Sequence, residues 1–310
     1  AGVGMAFGLA QYFIGAGRLK NVGLPPVKSN SAEDSLSASY LLQMGAVFVA
    51  AAALIYSLEL YGYSWKVTWI PIAVIASLIA VVMTGAQDKL LLEDWKRLVV
   101  IGILFTFSVT FWMGFEQAGS SLNLFAQDLT DRRIFGGWEF PAAYLQSVNS
   151  LFIVALAPVF SILWLRMGKR QPSDPIKFAL GLFLLSVSFV VLAYASGLTG
   201  AGKVSPLWLV VVYLLQTMGE LSLSPVGLSS MTKLAPAKMI SLMLGVWFLS
   251  ISLGNFLAGQ IAGNFEPNQD VLVGLFSNVA IVTIIAAVLL VLITPFVKKL
   301  LVKSNQNVEQ

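Results

Sequence analysis

Phe105–Gln127 reads FTFSVTFWMGFEQAGSSLNLFAQ, an apolar run with a carboxylate, Glu116, well inside it. At about 100° per residue of α-helix, Glu116, Ser120, Asn123 and Gln127 are expected within an arc of roughly 40°, with Trp112 about 40° to the other side. A charged side chain at bilayer depth costs about 2.5–3.5 kcal/mol on insertion scales, so such residues face a bundle interior or a wet cavity. The stretch therefore predicts a membrane helix with one polar face, and Glu116 is its functional candidate. The plainer reading, a buried hydrogen bond joining two helices, carries less weight, because four polar groups on one stripe favour a cavity.

The rest of the chain agrees with a membrane setting. Hydrophobic residues make up 57% and charged residues only 11%, against about 25% charged in soluble domains, and the mean hydropathy is +0.83. The apolar runs are long and unbroken, as spanning helices need, and unlike the roughly 10-residue alternating segments of an outer-membrane barrel. Helices bond every backbone group internally, so the fold class expected is all-α integral membrane. The formal charge of +4 gives no support to nucleic-acid binding, and the absence of Cys and His leaves no disulfide frame, thiolate nucleophile, or ordinary zinc or haem site. No metal or cofactor is expected, and proton chemistry falls to Asp, Glu, Lys or Tyr.

Residues 1–16 read as the end of a truncated transmembrane helix, because the apolar run Ala1 to Ile14 falls short of the roughly 20 residues a span needs. The sequence thus reads as the later part of a longer protein. Residues 17–37, with Pro25 and Pro26, form a cytoplasmic linker. Residues 38–85 form an extra hairpin, Ala38 to Tyr61 and Lys66 to Thr84, whose turn gathers Tyr61, Tyr63, Trp65 and Trp69 like an interfacial aromatic belt. A charged connection, 86–97, leads into a six-helix bundle, 98–301, and a tail, 302–310. Its first span starts at about Leu98. The next five are expected at Pro141 to Leu165, Ile176 to Ser196, Pro206 to Met231, Met239 to Gly263 and Val271 to Val297. With the first loop cytoplasmic, fifteen of the nineteen Lys and Arg residues collect on that side, so the positive-inside rule puts the C-terminus there too.

A second carboxylate, Glu220, lies in YLLQTMGELSLSPVGLSSMTKLAP, about 21 Å down its helix from Pro206. Tyr213, Gln216, Ser224 and Gly227 are expected on its face, and Gly219, Pro225 and Gly227 are hinge candidates, as is Pro158 in an earlier span. Gln146 and Asn149, three apart, share a face. Ser120, Gln146, Tyr213, Gln216, Ser224 and also Gln117 are the cavity-lining candidates. Trp247, with Ser250 and Gly254 beside it, reads from the residues alone as packing, and Asn255, Gly259 and Gly263 as close helix contact. No Lys or Arg is placed inside the last six spans. A membrane carboxyl that exchanges a cationic partner for a substrate or an apolar surround can bind and release a proton; here the cation is expected from the missing half of the protein.

FWMGFEQAGSSLNLFA, QSVNSLFIVALAPVFSILW and GELSLSPVGLSSMTKLAPAKMISLMLGVWFLSISLGNFLAG closely resemble the seventh, eighth, tenth and eleventh helices of proton-coupled oligopeptide transporters (the POT/PTR family of the major facilitator superfamily, bacterial type). The resemblance covers essentially the whole chain. It implies the C-terminal six-helix bundle of that superfamily, preceded by the end of a sixth helix and an extra two-helix hairpin. By resemblance, Glu116 is the proton-coupling glutamate of the outer gate. Glu220 and Asn149 hold the peptide's amino terminus, and Trp112, Trp247 and, more loosely, Ser250 line the peptide site, which reverses the packing reading of Trp247. The family's first-helix E-x-x-E-R-F-x-Y-Y motif and fourth-helix lysine are absent.

The expected activity is proton-coupled symport of di- and tripeptides by alternating access across a bacterial inner (plasma) membrane, without catalysis. The expected partners are the di- or tripeptide substrate, membrane lipid and the missing N-terminal bundle. The rivals are a relative carrying nitrate or another small anion, and a non-catalytic membrane scaffold. An intramembrane hydrolase lacks both a Ser/His dyad and paired aspartates.

Overall fold

Each long apolar run among the described residues becomes a helix, and Pro158, Pro225 and Pro295 lie inside three of them. The computed structural model describes residues 90–134, 137–236 and 239–306, all within one compact unit, Ser64–Gln310. The expected segments 1–16, 17–37 and 38–85 lie outside the described residues.

Helix α1 is Leu92–Phe115. It starts before the expected Leu98 because the charged connection supplies its first turns. The Asp94 carboxylate accepts the Leu91 N–H at 3.3 Å, Lys96 pairs with Glu93 at 2.8 Å, and the two acids sit at the positive end of the helix. After α1 comes a 3-10 turn, Glu116–Gly119, then α2, Ser121–Asp128. Two short antiparallel strands follow, β1, Arg133–Ile134, and β2, Trp138–Glu139, in the register Arg133↔Glu139 and Ile134↔Trp138. The remaining helices are α3, Ala143–Met167; α4, Asp174–Gly197; α5, Leu207–Leu234; α6, Ile240–Ala262; and α7, Gln269–Gln306. Their bounds match the expected spans to within a few residues, except that α7 continues past Val297, through Pro295, to Gln306. With α1 and α2 counted as one broken span, six helices among the described residues are long and apolar enough to cross a membrane.

Helix α4 packs on α5 and α7, α1 packs on α6 and α7, and α5 also touches α3 and α6. On α4, Leu182, Leu185, Phe189 and Leu192 are fully buried, and their spacing of three, four and three residues makes one stripe. Between helices in lipid the hydrophobic effect contributes little, so close backbone approach and polar bonds decide the pairing. A Cβ added at Gly181 or at Gly219 would lie 2.9 Å from the other's carbonyl oxygen, so α4 and α5 meet there backbone to backbone. Ser186 donates to the Ala280 carbonyl at 2.8 Å, and the Ser108 and Ser250 hydroxyls bond at 2.8 Å.

The expected contact residues of α6 are corrected. Asn255 and Gly259 are exposed, and nothing approaches a Cβ added at Gly259. Gly254 makes the close contact instead: a Cβ there would meet the Met113 nitrogen at 2.8 Å and the Trp112 side chain. The expectation of no cation within the spans is also corrected. Lys177 stands in the first turn of α4, is only 6% exposed, reaches Gln171 Oε1 at 2.8 Å and lies 4.9 Å over the Trp164 ring.

Candidate functional site

The polar stripe that opened the reading is interrupted at its most important residue. α1 stops at Phe115, the 3-10 turn begins at Glu116, and Ser120 takes the non-helical angles φ −127° and ψ −97°. Gly119, Ser120 and Ser121 explain the break, since serine hydroxyls compete with the helical ladder. Ser121 donates to Gln117 Oε1 at 2.6 Å, and Gln117 Nε2 donates to the Ala258 carbonyl at 3.2 Å. Gln117 is fully buried as a joint between the break and α6, and does not line a cavity as expected. The expected arc of Glu116, Ser120, Asn123 and Gln127 therefore does not form. Glu116 alone of the four faces the cavity described next.

That cavity, of about 310 Å³, lies among the end of α1, the turn, α3 and α5, and is lined by Phe115, Glu116, Ala118, Ala143, Gln146, Ser147, Asn149, Ser150, Tyr213 and Gln216. Three expectations from different helices meet here: Glu116, the Gln146 and Asn149 pair, and the Tyr213 and Gln216 face of α5. Asn149 Nδ2 donates to Thr217 Oγ1 at 2.9 Å, and the Glu220 carboxyl stands beside the same amide. Glu220 Oε2 and both amide atoms of Gln216 are buried without a hydrogen-bond partner among the described residues. The lining thus holds a carboxylate with a second one behind Asn149, and no Lys or Arg. Hard acceptors without a built-in cation suit a positively charged guest.

Other expected site residues stand elsewhere. Trp112 is buried, edge-on to Phe111 at 5.6 Å and to Phe115 at 5.3 Å, with its indole N–H unpartnered among the described residues. Trp247 is buried against Phe178 at 6.4 Å, its ring lying where a Cβ on Gly227 would go. Gly227 is thus a seat for an aromatic ring, and Gly219 is the α4 contact. Ser250 is fully buried on Ser108. Pro225 belongs to a second, mostly apolar cavity of about 430 Å³ with Trp164 and Gln171. Pro158 is an exposed interior residue of α3. Ser120 and Ser224 are half-buried and outside the lining.

Thr217 was missed by sequence reasoning. It lies three residues before Glu220 and four after Tyr213, on the same helical face, and that spacing was the available signal.

Residues 1–278 match the sequence profile of the POT family. The chain belongs to the POT family. It is 46% identical over 217 residues to Peptide transporter YePEPT of Yersinia enterocolitica subsp. palearctica serotype O:3 (strain YE-P4), covering 68% of this chain and 42% of that protein. It is 30% identical over 311 residues to the Di-/tripeptide transporter of Lactococcus lactis subsp. lactis (strain IL1403), covering 97% of this chain and 62% of that one. A crystal structure described as peptide transporter POT in complex with sulfate matches with a TM-score of 0.74 at 33% identity, covering 96% of this chain and 61% of that chain. The chain therefore spans between 42% and 62% of the length of these POT relatives. The six-helix bundle expected from the resemblance is the one found among the described residues.

Proposed function

We propose that the protein carrying this chain is a proton-coupled symporter of di- and tripeptides that works by alternating access in a bacterial inner membrane, with the C-terminus cytoplasmic. The observation that carries the reading is the acceptor-rich cavity lined by Glu116 and Asn149, with Glu220 behind Asn149. A peptide's ammonium supplies the cation that this cavity lacks, while its side chains need only room. The same two carboxylates oppose a small anion such as nitrate. Kinship to a protein named Di-/tripeptide transporter supports the substrate class.

In this mechanism the ammonium meets Asn149 and Glu220. Glu116, at the helix break, carries the coupling proton: ionised, it holds a cationic partner from outside the described residues, and protonated it releases that partner and lets the gate move. Trp112 and Ser250 fix the packing of α1 against α6, and Trp247 joins α6 to α4 and α5. Protons are the coupling ion, and no other cofactor takes part. Membrane lipid and an N-terminal bundle complete the set of partners.

The test uses the full-length protein in liposomes with labelled dialanine and an inward proton gradient. Wild type is expected to concentrate the peptide, and Glu116→Gln to exchange it without accumulation. A wild type that ignores dialanine under the gradient would remove the peptide assignment.

A further inference from the structure

We infer that Thr217 sets the orientation of the Asn149 amide, and thereby which atom of Asn149 a substrate ammonium meets; this rests on the peptide reading above. Thr217 is fully buried on the cavity side of α5. Its hydroxyl has a single proton, and that proton goes to the Tyr213 carbonyl at 2.7 Å. Such a bond one turn back is common for threonine in helices and by itself means little. Its consequence is that Oγ1 is left with lone pairs only. Across the helix gap the atom facing those lone pairs is Asn149 Nδ2, at 2.9 Å.

Glu220, three residues on along the same helix face, sets an acceptor-only carboxylate beside the same amide. Turned over, the amide would set its carbonyl oxygen against the Thr217 lone pairs, losing that bond and gaining a repulsion. Thr217 therefore holds the amide by its nitrogen, which leaves Oδ1 as the acceptor that Asn149 offers in the cavity it lines. An acceptor fixed there by an uncharged hydroxyl suits an ammonium and rejects an amide carbonyl or carboxylate. Thr217 is a positioning residue: it acts through Asn149 and selects for a free amino terminus.

The experiment compares dialanine with N-acetyl-dialanine in proteoliposomes of the full-length protein. Wild type should prefer the free amino terminus. Thr217→Val keeps the shape and removes the acceptor, and should raise KM for dialanine about fivefold to tenfold, the equivalent of one lost orienting hydrogen bond, with kcat little changed and the blocked peptide unaffected. Thr217→Ser should restore the wild-type value. Thr217→Ala serves as a second hydroxyl-free variant if Val disturbs the helix contact. Equal losses for both peptides would reduce Thr217 to a packing residue, and a wild-type KM in the hydroxyl-free variants would overturn its role outright. A wild type that takes up both peptides alike sinks the ammonium reading itself, which separates the two failures.

Discussion

Helices α3 and α4 are neighbours in sequence, similar in length, and both apolar enough to span a membrane, yet they are used in opposite ways. In its most apolar stretch α4 is 61% buried within this unit and α3 only 6%. α4 fills its buried face with Leu182, Leu185, Phe189 and Leu192 and presses Gly181 onto α5. α3 meets the bundle chiefly along α5, leaves Leu151, Val154 and Leu165 exposed, and contributes Gln146 and Asn149 to the cavity. Half of the cavity lining thus sits on the helix with least packing to lose. A cavity wall is free to shift when its element is held at few points, whereas the more buried α4 serves as support.

The sharpest way to break this contrast is to overfill the support. Gly219→Leu forces a side chain into the backbone contact with Gly181, where even a Cβ comes within 2.9 Å of the carbonyl oxygen. The expected cost is about 3 kcal/mol, at the upper end for overpacking, seen as loss of the folded, monodisperse protein or a large fall in Tm in detergent. Val154→Ala on α3, at a residue 76% exposed, should cost less than about 0.5 kcal/mol. A comparable loss at Val154 would mean that α3 is packed against something outside the described residues.

The next effect lies where α3 is tethered. The loop from α2 to α3 is strapped by Arg132, which reaches Glu139 at 2.6 Å, the Phe140 carbonyl at 2.5 Å and the Gln127 carbonyl at 3.4 Å. Asp131 N–H donates to the Val204 carbonyl at 2.8 Å, and Val204 N–H to the Leu129 carbonyl at 2.9 Å, which ties the same loop to the segment before α5. Arg132→Ala should loosen the loop by about 1 to 2 kcal/mol, a charge-assisted set of bonds discounted because Glu139 is half exposed. Hydrogen exchange is expected to rise across the β1–β2 loop and the first turn of α3, and to stay unchanged in α4. Unchanged exchange at α3 would show that its contact with α5 suffices to hold it.

The spans were legible because hydropathy and charge bracket each helix, and α4 needed no more than that. Contacts between helices were less so. Gly259 of α6, which no other residue approaches, looks no different in sequence from Gly254, which makes the close contact; only the partner surface, Trp112, distinguishes them. The helix break at Glu116 escaped a reading at a uniform 100° per residue, although Gly119, Ser120 and Ser121 mark it. Gln117, expected at the cavity, goes to a helix joint because the Ala258 carbonyl and the Ser121 hydroxyl satisfy its amide there. Asn149 and Glu220 could be paired only through the resemblance, since they lie on different helices far apart in the chain. A distance in space has no local signature in sequence.

The smallest predicted effect tests whether the tether, and not the site, makes α3 sensitive to pH. The Asp131 carboxylate accepts the Arg133 backbone N–H and its Nε–H, each at 3.2 Å. Those bonds, the backbone one foremost, hold its pKa below the ordinary 3.8. A depressed carboxyl pKa contributes stability that is complete above the unfolded value and is lost as the pH falls through the folded one. The backbone amide shift of Arg133 in lipid nanodiscs should therefore be flat near neutrality and move with a midpoint below 3.8, and Asp131→Asn should abolish the movement. A midpoint above 3.8 would contradict the pairing. If the tether is flat near neutrality, a pH dependence of uptake in that range arises outside it.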